Sequence, residues 1–329
     1  MISPAPTRSA ESPWSLSTAL ARLQNLESLN LPDVVVPIRD LAWTTKGSLL
    51  IPSFGEAHPN DWALQQLGGL LGIRFGKWFE TASSQERSEE MSRRLRRATG
   101  KVRLRLAQAK ESPVLRAVVT PSYSPILDTL VLGVIEDALN GTDARVHRLD
   151  VTDRMTSATI CVGEPQTVGG LVGSTWGSIT ATNSSVGWSS LTVSVSLLRL
   201  VCSNGMRAPI AAAEILRVRH RTLDIHSVRN QLVGGIRSLP GNLVEANQVL
   251  TSSTTWKVDN VEAEARARLR EAGMVRKHLD SVMAAYRHEP HPSVFGLSQA
   301  ITMHAQQTSP EDRVALEQLA GGYVLRSAP

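Results

Sequence analysis

Three constellations in this chain of 329 residues contain side chains able to do chemistry or to grip charge. The first is Cys202-Ser203-Asn204-Gly205, which follows a β-rich run, with His220 further along. A cysteine at a strand end becomes a nucleophile when a histidine takes its proton, and that pair would support a hydrolase. The same four residues also read as a plain turn, since Asn-Gly is a turn signal and a free cysteine is commonly a small buried hydrophobe. The second constellation is the carboxylate pair Asp128 and Asp224, the kind of ligand a metal-dependent nuclease uses. The third is basic. Arg93, Arg94, Arg96, Arg97, Lys101, Arg103, Arg105 and Lys110 follow one another with no acid among them. A second basic group is Arg217, Arg219, His220, Arg221, Arg229 and Arg237. Arginine presents a planar fork of donors that suits phosphate and stacks on bases. Tyr123, Trp176 and Trp188 fall near the loops between strands, and a basic groove with aromatic platforms is the usual design for single-stranded nucleic acid.

Other chemistries fail on spacing. Gly69, Gly72 and Gly76-Lys77 imitate a phosphate loop, but Leu71 stands where the first glycine is required and Trp78 where a hydroxyl is required. Gly169-Gly170-Leu171-Val172-Gly173 lacks the dinucleotide spacing and sits between strand-like segments. His288-Glu289-Pro290-His291 has its histidines three apart with a proline between, whereas a zinc helix needs them four apart on one face. His220 and His226 beside Asp224 form a loop cluster of the kind that is usually structural. No cofactor and no metal is expected.

These residues need elements to position them. A hydrophobic content of 42% supports a sizeable core, and no apolar run reaches the 18 residues of a membrane span. Two cysteines fit a reducing cytosol, so a cytoplasmic location is expected. The net charge of +5 is mild, yet only six of the 35 basic residues are lysines, an arginine bias that a GC-rich genome would also produce. Residues 1–13 read as a disordered arm. Residues 14–111 form a mixed α+β region: a helix over Trp14–Leu29, a strand over Val34–Ile38, a helix over Asp61–Leu71, and a charge-dense helix over Thr81–Lys110. Residues 112–225 form a β-rich centre with a strand at Val114–Val119, a helix at Leu127–Leu139 stopped by Asn140-Gly141, and strands from Arg145 to Arg219. Residues 226–329 are helical, with one long helix opening on the capping-box-like Asp259-Asn260-Val261-Glu262 and ended by Pro290, and another running from Ser309 to a stop at Gly321-Gly322. The fold class is α+β: a central, mainly antiparallel sheet with a packed helix, flanked by N-terminal mixed and C-terminal helical regions.

Four blocks in this order carry a family resemblance. Arg116-Ala117-Val118-Val119-Thr120-Pro121-Ser122-Tyr123 through Asp128 comes first, then Asn183-Ser184-Ser185-Val186-Gly187, then Leu198-Arg199-Leu200-Val201-Cys202-Ser203-Asn204-Gly205-Met206 followed by Arg219-His220. A weaker closing segment lies around Thr302-Met303, with Leu297-Ser298-Gln299-Ala300 as the nearest match to its signature. The chain resembles the phage/plasmid-like protein family, a domain of unknown function (932), over about residues 114–322. That resemblance, with a looser likeness in element pattern to Rad52-like annealing proteins, implies a non-enzymatic protein that binds single-stranded DNA in a mobile element. Its binding candidates are Arg116, Tyr123, Arg199, Asn204, Arg219 and His220, beside the Arg93–Lys110 run. Gly187 and Gly205 are expected turn residues. A homo-oligomer is compatible with the sequence, and no membrane partner is expected. An enzyme built on Cys202, His220, Asp128 and Asp224 is the alternative, and a structural or interaction protein a third.

Overall fold

The computed structural model describes residues 14–73, 81–167, 174–200, 207–221, 225–237, 244 and 248–327. Residues 1–13, read from sequence as an arm, lie outside them. Helix α1 (Leu16–Glu27) starts where Ser15 accepts a hydrogen bond from the Thr18 amide. Strands β1 (Val34–Pro37), β2 (Ala42–Trp43), β3 (Leu49–Ile51), β4 (Gly55–Pro59), β5 (Lys101–Ala107) and β6 (Val114–Val119) form one sheet in the order β1-β5-β6-β4-β3-β2. Its pairings are antiparallel except for β4 with β6, where His58 and Pro59 oppose Val114 and Leu115 in parallel.

Helices α2 (Asp61–Leu71) and α3 (Ser84–Arg97) cover this sheet. Asn60 caps α2, and Gly72 ends it in the left-handed conformation at φ +64°, so the Gly69 and Gly72 of the phosphate-loop imitation belong to a helix end, while its Gly76-Lys77 lie outside the described residues. Ser83 and Glu86 form a capping box on α3. Leu67, Met91, Leu95, Leu104 and Leu115 are fully buried between the layers. The charge-dense segment is therefore not one helix. Gly100, at φ +90°, separates α3 from β5. Beyond it Val102, Leu104 and Leu106 alternate with basic residues at the period of a strand.

The second sheet is an antiparallel meander, β7 (Ala144–Val151), β8 (Thr156–Thr167), β9 (Ser174–Asn183), β10 (Leu191–Leu200) and β11 (Arg207–Val218), with β7 and β11 at its edges. Its two faces differ. Ala158, Ala181 and Val193 oppose one another across three strands, and Ile160, Ile179 and Val195 form the next row. This face packs against α1, α4 (Asp128–Ala138) and α5 (Ile225–Arg237). On the other face the rows are Ser157, Thr182 and Thr192, then Thr159, Thr180 and Ser194, then Cys161, Ser178 and Ser196.

The C-terminal helices α6 (Val261–Glu271), α7 (Val275–His288), α8 (Val294–Ala305) and α9 (Pro310–Arg326) build a third core of their own around Leu269, Val282, Leu297, Ile301, Leu316 and Val324. Ser309 caps α9 as the sequence indicates, and α6 is capped by Asn260, one residue after the Asp259 that opens the capping-box-like pattern. Two expectations are corrected. The helix from Asn260 breaks at Gly273, φ +69°, into α6 and α7. Gly321-Gly322 does not stop α9, which runs on to Arg326, because neither glycine is left-handed and Gly321 is buried in the core.

Candidate functional site

The two sheets meet at a polar junction, and three of the resemblance blocks converge there. Arg116 lies on β6 with its side chain turned toward α1, where Nη1 donates to Asn30 Oδ1 at 2.6 Å. Burial and the neighbouring Arg105 work against its charge, which pushes its pKa down. It lines a small cleft of about 40 Å³ with Glu27, Asn30, Asp128, Arg154 and Ser185. Leu26 and Leu127, both exposed, stand at its rim.

The acids of the cleft are occupied. Asp128, the first residue of α4, accepts from Asn183 Nδ2 at 2.6 Å and from Thr156 Oγ1 at 2.7 Å. Burial still holds its carboxyl above the usual range. Glu27 accepts from the Thr129 amide at 3.1 Å and the Thr129 hydroxyl at 2.5 Å, so it caps α4, whose Leu127 has no capping side chain. Neither carboxylate presents a metal cluster, and no group of three such ligands occurs among the described residues.

Tyr123 and His220 stack at 5.2 Å between ring centroids, 16° apart in plane. The tyrosine hydroxyl donates to the Ser184 carbonyl at 2.7 Å and accepts from the Gly187 amide at 3.1 Å. His220 Nδ1 accepts from the Ile126 amide at 3.3 Å, which makes Nε2 the protonated atom of the neutral ring. Nε2 is buried without a partner among the described residues, and burial drives the ring's pKa down to about 4. A histidine tied in this way supports the turn at Asn183–Gly187. Gly187 is itself left-handed at φ +80°, the turn role read from the sequence.

The basic run divides in space. Arg93 and Arg94 both bond Glu90 at 2.6 Å, and the pair holds that carboxyl down at about 2. Arg96, Arg97 and Lys101 are exposed. Arg103 and Arg105, on the same side of β5, turn inward to Asp33 at 3.4 and 3.2 Å. Arg105, which is buried, also bonds the Ser185 carbonyl, and Arg103 donates to the Pro121 carbonyl at 2.9 Å. Arg105 fastens the two sheets together and Arg103 ties β5 to the loop after β6, so neither takes part in an exposed track. The second group is different: Arg217, Arg219 and Arg221 alternate with inward-facing Leu216, Val218 and His220, so all three are exposed. Arg229 pairs with Asp137 at 3.0 Å on the surface. The backbone of Arg199 lies in β10, but its side chain, together with Cys202, Asn204 and Asp224, falls outside the described residues. Trp176 lies on β9.

Sequence reasoning missed Glu27, Asn30 and Asp33, which complete the junction from α1 and the loop after it. It also missed Gln66, whose side chain accepts from the Val118 amide at 2.8 Å and donates to the Val186 carbonyl at 3.0 Å. That amide has no strand partner because β4 pairs with only the first two residues of β6. The sole local signal was the short length of β4.

Against known proteins, a family model described as Domain of unknown function (DUF932) matches residues 117–318. No curated protein and no solved structure matches.

Proposed function

The chain belongs to the DUF932 family, and since that description assigns no activity we propose one from the geometry: a nucleic-acid-binding protein that holds single strands, as an annealing protein does, without chemistry of its own. The observation that carries this reading is the file of Arg217, Arg219 and Arg221. Arg217 lies near the end of β11 and the chain then turns tightly, the Arg221 amide bonding the Arg219 carbonyl at 2.8 Å, so three exposed guanidiniums gather at one end of the edge strand. The file runs off an edge strand, and Arg221 forms a backbone bridge with Tyr123, whose hydroxyl holds Ser184 next to the cleft. Arg96, Arg97 and Lys101 add exposed positive charge with no ion-pair partner among the described residues.

The acids of the cleft favour binding over hydrolysis as a reading, because Asp128 and Glu27 already accept two hydrogen bonds each. A fluorescence-anisotropy titration with labelled oligothymidylate, and with a duplex of equal length, tests the proposal. Single strands should bind more tightly, with log K falling linearly against log salt as phosphate contacts release counterions. Absence of binding at low salt removes the reading.

No helix of the described residues is long and apolar enough to cross a membrane.

A further inference from the structure

A sheet face buried beneath helices is ordinarily apolar, because a hydroxyl placed there must be hydrogen-bonded to repay its desolvation. The outer face of the five-stranded sheet departs from this. Its three rows on β8, β9 and β10 carry eight hydroxyls and one thiol. Several hydroxyls find one another across strands, as Ser178 and Ser196 do at 2.6 Å.

Much of what covers this face is also polar. Helix α9 lies over it, leaving a narrow gap of about 20 Å³ between Thr180, Thr182, Ser194 and Ser196 on the sheet and Val314, Glu317 and Gln318 on the helix. The fastenings are an ion pair of Arg313 with Asp150, a hydrogen bond from Arg148 to Gln306 at 2.7 Å, and one from the Thr152 hydroxyl to Glu311 at 2.8 Å. The apolar residues of α6 to α9 close on themselves, in a core that shares no residue with the one beneath the sheet. Lifting the α6–α9 bundle as one body therefore breaks these polar contacts and the packing of Val314, and leaves both cores intact.

The margins of the face are basic. Arg148 on β7 stands opposite Thr159, and Arg217 on β11 stands opposite Thr192. Arg217 also begins the exposed arginine file, so file and hydroxyl rows form one continuous surface. Of the acids that α9 brings, Glu317 lies beside the face hydroxyls and near Arg148, and Glu311 accepts from the Thr152 hydroxyl just past β7, positions that phosphate groups of a strand would take. Burial in that setting raises the Glu317 carboxyl, against the pull of Gln306 and the nearby arginines.

We infer that this hydroxyl face is a second surface for single-stranded nucleic acid, occupied in the present state by the acidic side of α9 and taken over by the bound strand. The inference rests on the nucleic-acid reading above and adds to it a competitor within the chain.

The test uses the full-length protein and labelled oligothymidylate. Glu311→Gln with Glu317→Gln keeps side-chain shape and an acceptor oxygen while removing the competing charge. This variant should bind about tenfold more tightly than the wild type. A control with the same change of charge on the far surface, Glu262→Gln with Glu271→Gln, should gain less than about twofold. Adding Thr159→Val and Ser194→Ala to the first variant should cancel its gain. Hydrogen exchange supplies an independent readout, since the amides of residues 310–326 should exchange faster when oligonucleotide saturates the wild type. Equal affinity for both glutamine variants, or unchanged protection of α9 at saturation, overturns the inference while leaving nucleic-acid binding in place. Failure of every protein to bind at low salt overturns both.

Discussion

Glu27 and Thr129 are joined by two hydrogen bonds, from the threonine amide at 3.1 Å and from its hydroxyl at 2.5 Å. One side chain at the end of α1 thus supplies the cap that α4 lacks in its own sequence. Glu27→Ala should cost about 1–2 kcal/mol, the usual worth of a helix cap, and lower the unfolding midpoint in urea. Glu27→Gln retains an acceptor and should cost less. An unchanged midpoint for the alanine variant would show that the cap carries no stability.

Asp128 distinguishes a structural carboxylate from a reacting one. Asp128→Asn should lose about 1 kcal/mol, since its carbonyl can still accept from Asn183 and the Thr156 hydroxyl can turn to accept from the new amide. Asp128→Ala leaves two buried polar partners unpaired and should lose about 2–3 kcal/mol. Oligonucleotide affinity measured on the folded fraction should stay within about twofold for the asparagine variant. A hydrolytic activity abolished by Asp128→Asn in a fully folded protein would contradict the binding assignment.

His220 sets an acid limit. Its folded pKa, about 4, lies below the unfolded value of 6.5, so the unfolded state takes up the proton first as the pH drops. The stability it contributes is complete above pH 6.5 and is lost as the pH falls through 4, by up to about 3 kcal/mol. The raised carboxyls of Asp128 and Glu317 act with the opposite sign, costing stability as the pH rises through their folded values. Urea denaturation of the wild type and of His220→Gln at pH 7 and pH 5 isolates the histidine: the variant should lose less stability between the two.

Gly187 sits at φ +80°, and a Cβ there would lie 3.0 Å from Val119 Cγ1. Gly187→Ala should therefore destabilise by about 1–3 kcal/mol, from backbone strain and crowding together. Thermal unfolding followed by circular dichroism measures this. Gly141, equally left-handed but with open space around it, is the comparison that separates strain from crowding.

Arg219→Ala and Arg221→Ala should each weaken oligothymidylate binding and reduce the slope of log K against log salt by about one unit. Arg105→Ala should instead lower stability, since its guanidinium joins Asp33 to the Ser185 carbonyl inside the junction. A salt slope that drops for Arg105→Ala but not for the two surface arginines would reverse these assignments.

The parts of the fold that read clearly from sequence are those decided within a few residues. Asn60 and Ser309 cap helices as their types suggest, and Val114–Val119 is a strand over the residues expected. The readings that failed were decided at a distance. The bases after Arg97 resemble a helical charge run until Gly100 and the alternation of Val102, Leu104 and Leu106 are weighed together. Helix α8 is buried on nearly every side, so it shows no polar stripe to mark it. Arg103 and Arg105 looked like free cations because their partner, Asp33, is some 70 residues earlier. The hydroxyl rows were invisible because serine and threonine in a strand ordinarily signal a solvent-facing side.

One pairing described above bears on how the protein can be cut. Strand β6, the last of its sheet to be synthesised, lies between β5 and β4, and it alone joins them. The family match opens at residue 117, in the middle of that strand. A fragment trimmed to the matched segment would therefore begin with half a strand, its bonds to β5 and β4 gone and Arg116 lost from the cleft. On the ribosome the same arrangement delays closure of the N-terminal sheet until Val119 has emerged, well before the second sheet's last strand ends at Val218.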